Sequence, residues 1–112
     1  MTPFSVRKEN GGVLVVTVDG QLIVGNRQEL KQKILDALDA GDKRFLIDFS
    51  RAGYIDSSGL GVLVSLSKKI RDQGGDLRLA GLNEDLKTLF ELTKLDTLFS
   101  ISDSPAQALG AF

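Results

Sequence analysis

The 112-residue sequence predicts an α/β fold: a single-layer, mainly parallel sheet of four to five strands that starts with an antiparallel β-hairpin and carries its helices on one face. Three observations point there. Two-residue and 3.6-residue periodicities alternate along the chain, which implies βαβ units. The strands alternate apolar and polar residues instead of showing the continuous apolar runs of a sheet covered on both sides. Right-handed crossovers between neighbouring parallel strands then place every helix on the same side. Much of the second face is expected to stay exposed.

Each element has its own signal. Phe4, Val6 and Arg7-Lys8 read as a short strand. In the Glu9-Asn10-Gly11-Gly12 turn, Asn-Gly marks a hairpin because both residues accept positive φ. Val13 to Val18 is the partner strand, closed by Asp19-Gly20. The first helix starts near Asn26, whose side chain is placed to cap the first turn, with Glu29 completing a capping box. Its apolar stripe is Leu30, Ile34, Ala37 and Leu38, and Gly41 supplies the left-handed C-terminal residue.

Phe45, Ile47 and Phe49 alternate with Leu46 and Asp48 in a third strand. Leu60, Leu63, Val64, Ser67 and Ile70 mark a second helix that ends before Gly74-Gly75. Val62 and Leu66 widen its apolar arc, so it should sit between two neighbouring helices, with Gly59 and Gly61 allowing close approach. Leu77 and Leu79 flank Arg78 in a fourth strand, and Asn83 caps a third helix with the stripe Leu86, Leu89, Phe90 and Thr93. Leu98-Phe99-Ser100-Ile101 precedes a last helical turn capped by Ser104, with Pro105 at its first position and Gly110 as its stop. Tyr54 and Phe99 read as core or rim packing. Without repeats, low-complexity tracts or a linker, residues 1–112 are expected to form a single domain.

Composition narrows the chemistry. The chain has no Cys, His or Trp, which excludes Cys- or His-based metal sites, Ser-His or Cys-His nucleophilic pairs and a disulfide framework. Fourteen basic and fifteen acidic residues give a net charge of −1, so there is no electrostatic footprint for nucleic acid or an anionic membrane. The N-terminus lacks the pattern of a secretory signal, and the longest apolar runs, Val13 to Val18 and Leu60 to Leu66, fall far short of the ~20 residues that span a bilayer. The expected compartment is the cytoplasm. No cofactor or metal is implied.

The informative segment is Tyr54-Ile55-Asp56-Ser57-Ser58-Gly59-Leu60-Gly61-Val62-Leu63, where the connection after the third strand enters the second helix. In parallel α/β units functional loops gather at this carboxyl end of the strands. Serines at a helix start have a structural explanation, since they cap amide groups. A phosphoryl group there would add about −1.5 to −2 charges, next to the free N–H groups and positive dipole end of a helix. Asp56 opposes such a modification by like-charge repulsion.

Asp56-Ser57-Ser58-Gly59-Leu60-Gly61 closely resembles the signature of the STAS domain as found in bacterial anti-sigma factor antagonists. The resemblance also covers Gly20-Gln21-Leu22, Gly74-Gly75-Asp76-Leu77 and Leu89-Phe90-Glu91-Leu92-Thr93-Lys94-Leu95-Asp96, and so nearly the whole chain. It implies a partner switch. The unphosphorylated protein binds an anti-sigma factor of the GHKL serine kinase class and so frees the sigma factor. The kinase phosphorylates the serine directly after the Asp, here Ser57, with Ser58 as helix cap or minor site, and the complex separates. A metal-dependent serine phosphatase resets the cycle. Asp56 would hold the loop and present the hydroxyl, or bond backbone amides in its own turn. The resemblance places the partner surface on Asp56, Ser57, Ser58, Gly59 and Leu60 together with Leu22, Ile23, Val24 and Asn26. Independently of it, the default expectation for the free chain is a monomer.

One position departs from that pattern. Ile23 stands where relatives carry the Asp of a Gly-x-x-Asp sequence on the loop entering the first helix, so the Leu22-Ile23-Val24 run is either core or an exposed apolar contact patch. An enzyme is the first rival reading, but Gly59-x-Gly61 lacks a third Gly at Val64, no phosphate-binding loop occurs, and Lys68 and Lys69 lie about three helical turns from Ser57. A non-catalytic STAS scaffold subunit of a stress-signalling or membrane-transport complex is the second, and the start at Met1 argues against an excised transporter tail.

Overall fold

A computed structural model describes residues 3–9 and 11–112. Five strands form one sheet whose spatial order is the chain order: β1 (Phe4–Glu9), β2 (Val13–Leu22), β3 (Arg44–Ile55), β4 (Asp76–Ala80) and β5 (Ser100–Ser102). β1 and β2 are antiparallel, and every later pair is parallel. The helices are α1 (Arg27–Asp39), α2 (Ser57–Asp72), α3 (Glu84–Leu92) and α4 (Pro105–Ala111), with a 3₁₀ turn at Leu95–Thr97. Gly11 and Gly12 turn the hairpin with φ of +85° and +76°, so Gly11 has the positive φ expected of the Asn-Gly pair and Gly12 continues it. The Asn10 half of that expectation falls outside the described residues.

Alternation along the strands sorts the side chains. Val16, Val18, Phe45, Ile47, Phe49, Leu77 and Leu79 point into the main core with Leu30, Ile34 and Leu38 of α1, Leu63, Leu66 and Ile70 of α2, and Leu86 and Phe90 of α3. Phe99 is buried there and meets Phe90 edge-on, the ring centroids 6.1 Å apart. α1 ends as expected at Gly41 (φ +106°), whose N–H donates to Leu38 O while the Asp42 N–H reaches Ala37 O. Asn83 and Ser104 cap α3 and α4, accepting from the Leu86 N–H at 2.8 Å and the Gln107 N–H at 3.2 Å.

Several local expectations are corrected. β2 does not close at Asp19-Gly20 but runs on to Leu22, with irregular register against β3 around Gly20 (φ +97°). α2 buries Val62 and Leu66 as their place in the apolar arc implies, but Val64 is exposed. Gly61 faces open space, so only Gly59 permits close packing. Gly110 lies inside α4, which continues to Ala111. Thr93 is exposed rather than part of the packed stripe, and Tyr54, read as core or rim, lies at the rim.

The second sheet face is also less open than alternation implies. α4 folds across it: Ala108 is buried with Val13, Val15, Leu46 and Ala80, and Leu109 and Phe112 pack alongside. The Arg78 guanidinium sits 4.6 Å from the Phe112 ring centroid and donates to Ala111 O, fixing the helix end. Val13, Val15, Leu46 and Ala80 are the apolar residues of that face, and α4 supplies the cover they need. Towards β1 the same face is polar and open, lined by Ser5, Arg7, Thr17, Asp19, Asp48 and Arg51.

Candidate functional site

The parallel register brings the ends of β2 and β3 together, with Leu22 opposite Ile55. Two loops therefore leave the sheet side by side. The Asp56 N–H donates to Leu22 O at 3.1 Å, and Gly59 packs onto the same carbonyl. A Cβ at Gly59 would lie 2.6 Å from Leu22 O and 2.9 Å from Ile55 Cγ2, which is why a side chain is excluded there.

Asp56 is the cap of α2, a role the sequence also offered to the serines. Its Oδ1 accepts from the Gly59 N–H at 2.7 Å, and its Oδ2 accepts from the Val24 N–H at 3.0 Å in the other loop. One carboxylate thus joins both loops. The Gly59 bond, reinforced by those of Val24 and Ser58 and by the Arg27 charge, outweighs the desolvation that works against it and holds the Asp56 pKa below the ordinary carboxylate value. The sign follows: a group whose folded pKa is depressed stabilises the folded state above its ordinary pKa, and that contribution is lost as pH falls through the lower, folded value. Followed by NMR, the Val24 and Gly59 amides should share an acid transition below the usual carboxyl range, absent in Asp56→Asn. A shared transition at the ordinary value would contradict this coupling.

Asn26 does not cap α1, contrary to its reading as a capping box with Glu29. Its Oδ1 accepts from the Ile23 N–H at 2.9 Å and its Nδ2 donates to Gln21 O at 2.9 Å, so the side chain turns back and staples its own loop. The Leu22-Ile23-Val24 run divides. Leu22 is buried, Ile23 is half-buried, and Val24 is 62% exposed. Of the nine residues expected on a partner surface, Leu22 and Gly59 are buried and shape the loops rather than present themselves.

Ser57, the first residue of α2, is exposed, whereas Ser58 is half-buried. Beside Ser57 a groove of about 500 Å³ runs between α2 and α3, lined by Tyr54, Leu60, Leu86, Leu89 and Thr93 with Asp56 and Asp85 as its charged members. α2 therefore stands apart from α3 here. Tyr54 (56% exposed) and the α3 side of the groove are what the sequence left out. The α3 stripe is correctly periodic, but periodicity alone does not separate a core stripe from the wall of an open groove.

An antiparallel hairpin leading into consecutive parallel strands, with an Asp-Ser-Ser-Gly turn entering the second helix, is the arrangement of a STAS domain. The sequence matches the STAS domain family over residues 5–108, and the chain belongs to that family. Among curated relatives, the anti-sigma-B factor antagonist of Bacillus subtilis is 34% identical over 96 residues, covering 85% of this chain and 86% of that protein. An anti-sigma factor antagonist from Mycobacterium paratuberculosis has a similar structure, with 25% identity and a TM-score of 0.86 over 96% of this chain and 91% of that one. A Thermotoga maritima chain provisionally given the same description superimposes with a TM-score of 0.90 at 28% identity, covering 96% and 92% of the two chains. Among the described residues no helix is long and apolar enough to cross a membrane.

Proposed function

We propose that this protein is an anti-sigma factor antagonist acting as one cytoplasmic domain over residues 1–112, monomeric when free. Its unphosphorylated form binds an anti-sigma factor of the GHKL serine kinase class, which releases the sigma factor. The kinase then transfers the γ-phosphoryl group of ATP to Ser57. The Ser57 Oγ–P bond forms as the bond to the ADP oxygen breaks, and the hydroxyl proton passes to a base on the kinase. A metal-dependent serine phosphatase restores the hydroxyl.

The observation that carries this reading is the placement of Ser57: an exposed hydroxyl on the wall of an apolar groove, in a loop held by Asp56. Ser58, half-buried behind it, is the second choice. Ile23, Val24, Asn26 and Leu60 extend the docking surface around it. The chain itself is not an enzyme on this reading. Asp56, the carboxylate next to Ser57, is engaged with the backbone amides of Gly59 and Val24 rather than held free as a general base for the hydroxyl.

The test is capture from native lysate with Ser57→Ala protein, with and without ADP, followed by mass spectrometry. Recovery of a GHKL-type kinase that Ser57→Asp fails to recover is the expected result. Recovery of only other STAS proteins or membrane-complex subunits would replace this reading with that of a scaffold.

A further inference from the structure

The chain has six arginines, and the guanidinium groups of five have partners. Arg7 donates to Glu9 and Thr17, Arg44 to Gly11 O, Arg71 to Ser67 Oγ and Arg78 to Asp76 and Ala111 O, while Arg51 pairs with Asp19. Arg27 is the exception. Its Nε is buried and has no hydrogen-bond partner, and its guanidinium forms no ion pair among the described residues. An N–H held out of water without an acceptor is costly, so this half-buried side chain gains from any acceptor brought to it.

Its position says what that acceptor is. Arg27 opens α1 immediately after the loop stapled by Asn26, and its backbone N–H is tied to Ile23 O. It lies close enough to Asp56 for its charge to act on that carboxylate, yet makes no contact ion pair with it. Asp56 already takes the Gly59 and Val24 amides, with Ser58 contributing, so the amide donors a helix start offers an anion are largely occupied. A phosphoryl group on Ser57 would bring up to two negative charges beside an ionised Asp56. A cation beside it would offset that repulsion, and Arg27 is the cation whose charge already acts on Asp56 in that turn.

We propose that Arg27 is the built-in counter-ion of phosphorylated Ser57, a positioning residue that accommodates the phosphoryl group beside Asp56. This rests on Ser57 being the modified serine, but it can be tested without the kinase. The arrangement is local to one chain: Arg27 at the head of α1 answers a charge at the head of α2. A partner carboxylate is the competing acceptor for the same guanidinium.

The test places phosphoserine at position 57 by genetic encoding and follows its ³¹P shift with pH. An adjacent guanidinium should lower the second phosphate pKa by about 1 unit relative to the Arg27→Gln protein. Arg27→Lys should keep part of the shift, because charge survives without the planar fork. Arg44→Gln, the same change in net charge at the other end of the sheet, should leave it unmoved. Equal phosphate pKa values with and without the Arg27 charge overturn the proposal. So does a pKa difference that Arg44→Gln reproduces. If in addition Arg27→Gln weakens capture of the partner by unphosphorylated protein, the guanidinium serves the partner's carboxylate instead. If phosphorylated and unphosphorylated proteins hold the same partner equally, the switch reading fails, whatever the phosphorus spectrum shows.

Discussion

Phosphorylation at Ser57 is expected to weaken binding of the anti-sigma partner by about 30-fold to several thousand-fold, the equivalent of the ~2–5 kcal/mol that an uncompensated buried charge costs at an interface. The range follows from where the hydroxyl sits. Docking against the α2–α3 groove covers Tyr54, Leu60, Leu86 and Leu89, and a dianion on the same wall would be carried out of water with them. Arg27 offsets part of that penalty, so the effect should fall towards the lower end and grow in Arg27→Gln. Titration calorimetry of the purified kinase against Ser57→Ala, unmodified and phosphorylated protein reads the difference directly. Ser57→Asp, with one charge and no tetrahedral group, should lie between the extremes. Equal affinities for the unmodified and phosphorylated forms would remove Ser57 from the switch.

Gly59→Ala carries the second large effect, this time on stability. The added methyl would meet Leu22 O at 2.6 Å and Ile55 Cγ2 at 2.9 Å, and a backbone carbonyl at the end of a paired strand cannot step aside. Overpacking of this kind costs about 1–3 kcal/mol. Gly61→Ala is the matched control. It lies two residues further along the same helix with nothing within 4 Å of the added carbon, and should be neutral or stabilising by up to about 1 kcal/mol. Urea unfolding of the two variants decides the matter, because helix propensity favours both substitutions and only the contact with Leu22 separates them. Similar midpoints would mean that the loops can part without penalty. Partner binding should also suffer in Gly59→Ala, since lifting α2 from Leu22 O moves Ser57 and breaks the carboxylate bridge to Val24.

Much of this was legible in the sequence, for identifiable reasons. The strand order and the three core helices follow from apolar spacing and from the short reach of right-handed crossovers, and those are chain-local signals. Gly41, Asn83 and Ser104 declare helix ends because capping needs only neighbouring residues. Asn26 has the same residue type and misleads, because the Ile23 N–H and Gln21 O in its own loop compete successfully for its amide. Asp56 could be placed in the turn, but its bond to Val24 joins positions far apart in sequence, a contact that spacing cannot report. Tyr54 and the α3 wall were hidden for a related reason: whether an apolar stripe is covered depends on how far α2 and α3 stand apart. The cover that α4 provides is likewise a tertiary event, foreshadowed only by the apolar Val13, Val15 and Leu46 on the face thought to be open.

The sheet order has a consequence for how the molecule comes into being. Because β1 to β5 lie side by side in the sequence in which they are made, each emerging strand finds its docking edge already waiting, and no strand must be inserted between two that have paired earlier. Chain growth from the ribosome can therefore lay the sheet down one strip at a time, with an unpaired edge advancing from β2 to β3 to β4. Only α4, which follows β5 and turns back across β2, β3 and β4, has to wait until all five strands have emerged. A regulator assembled in this way has the hydroxyl-bearing turn and its neighbouring loop joined well before the last helix closes the far side.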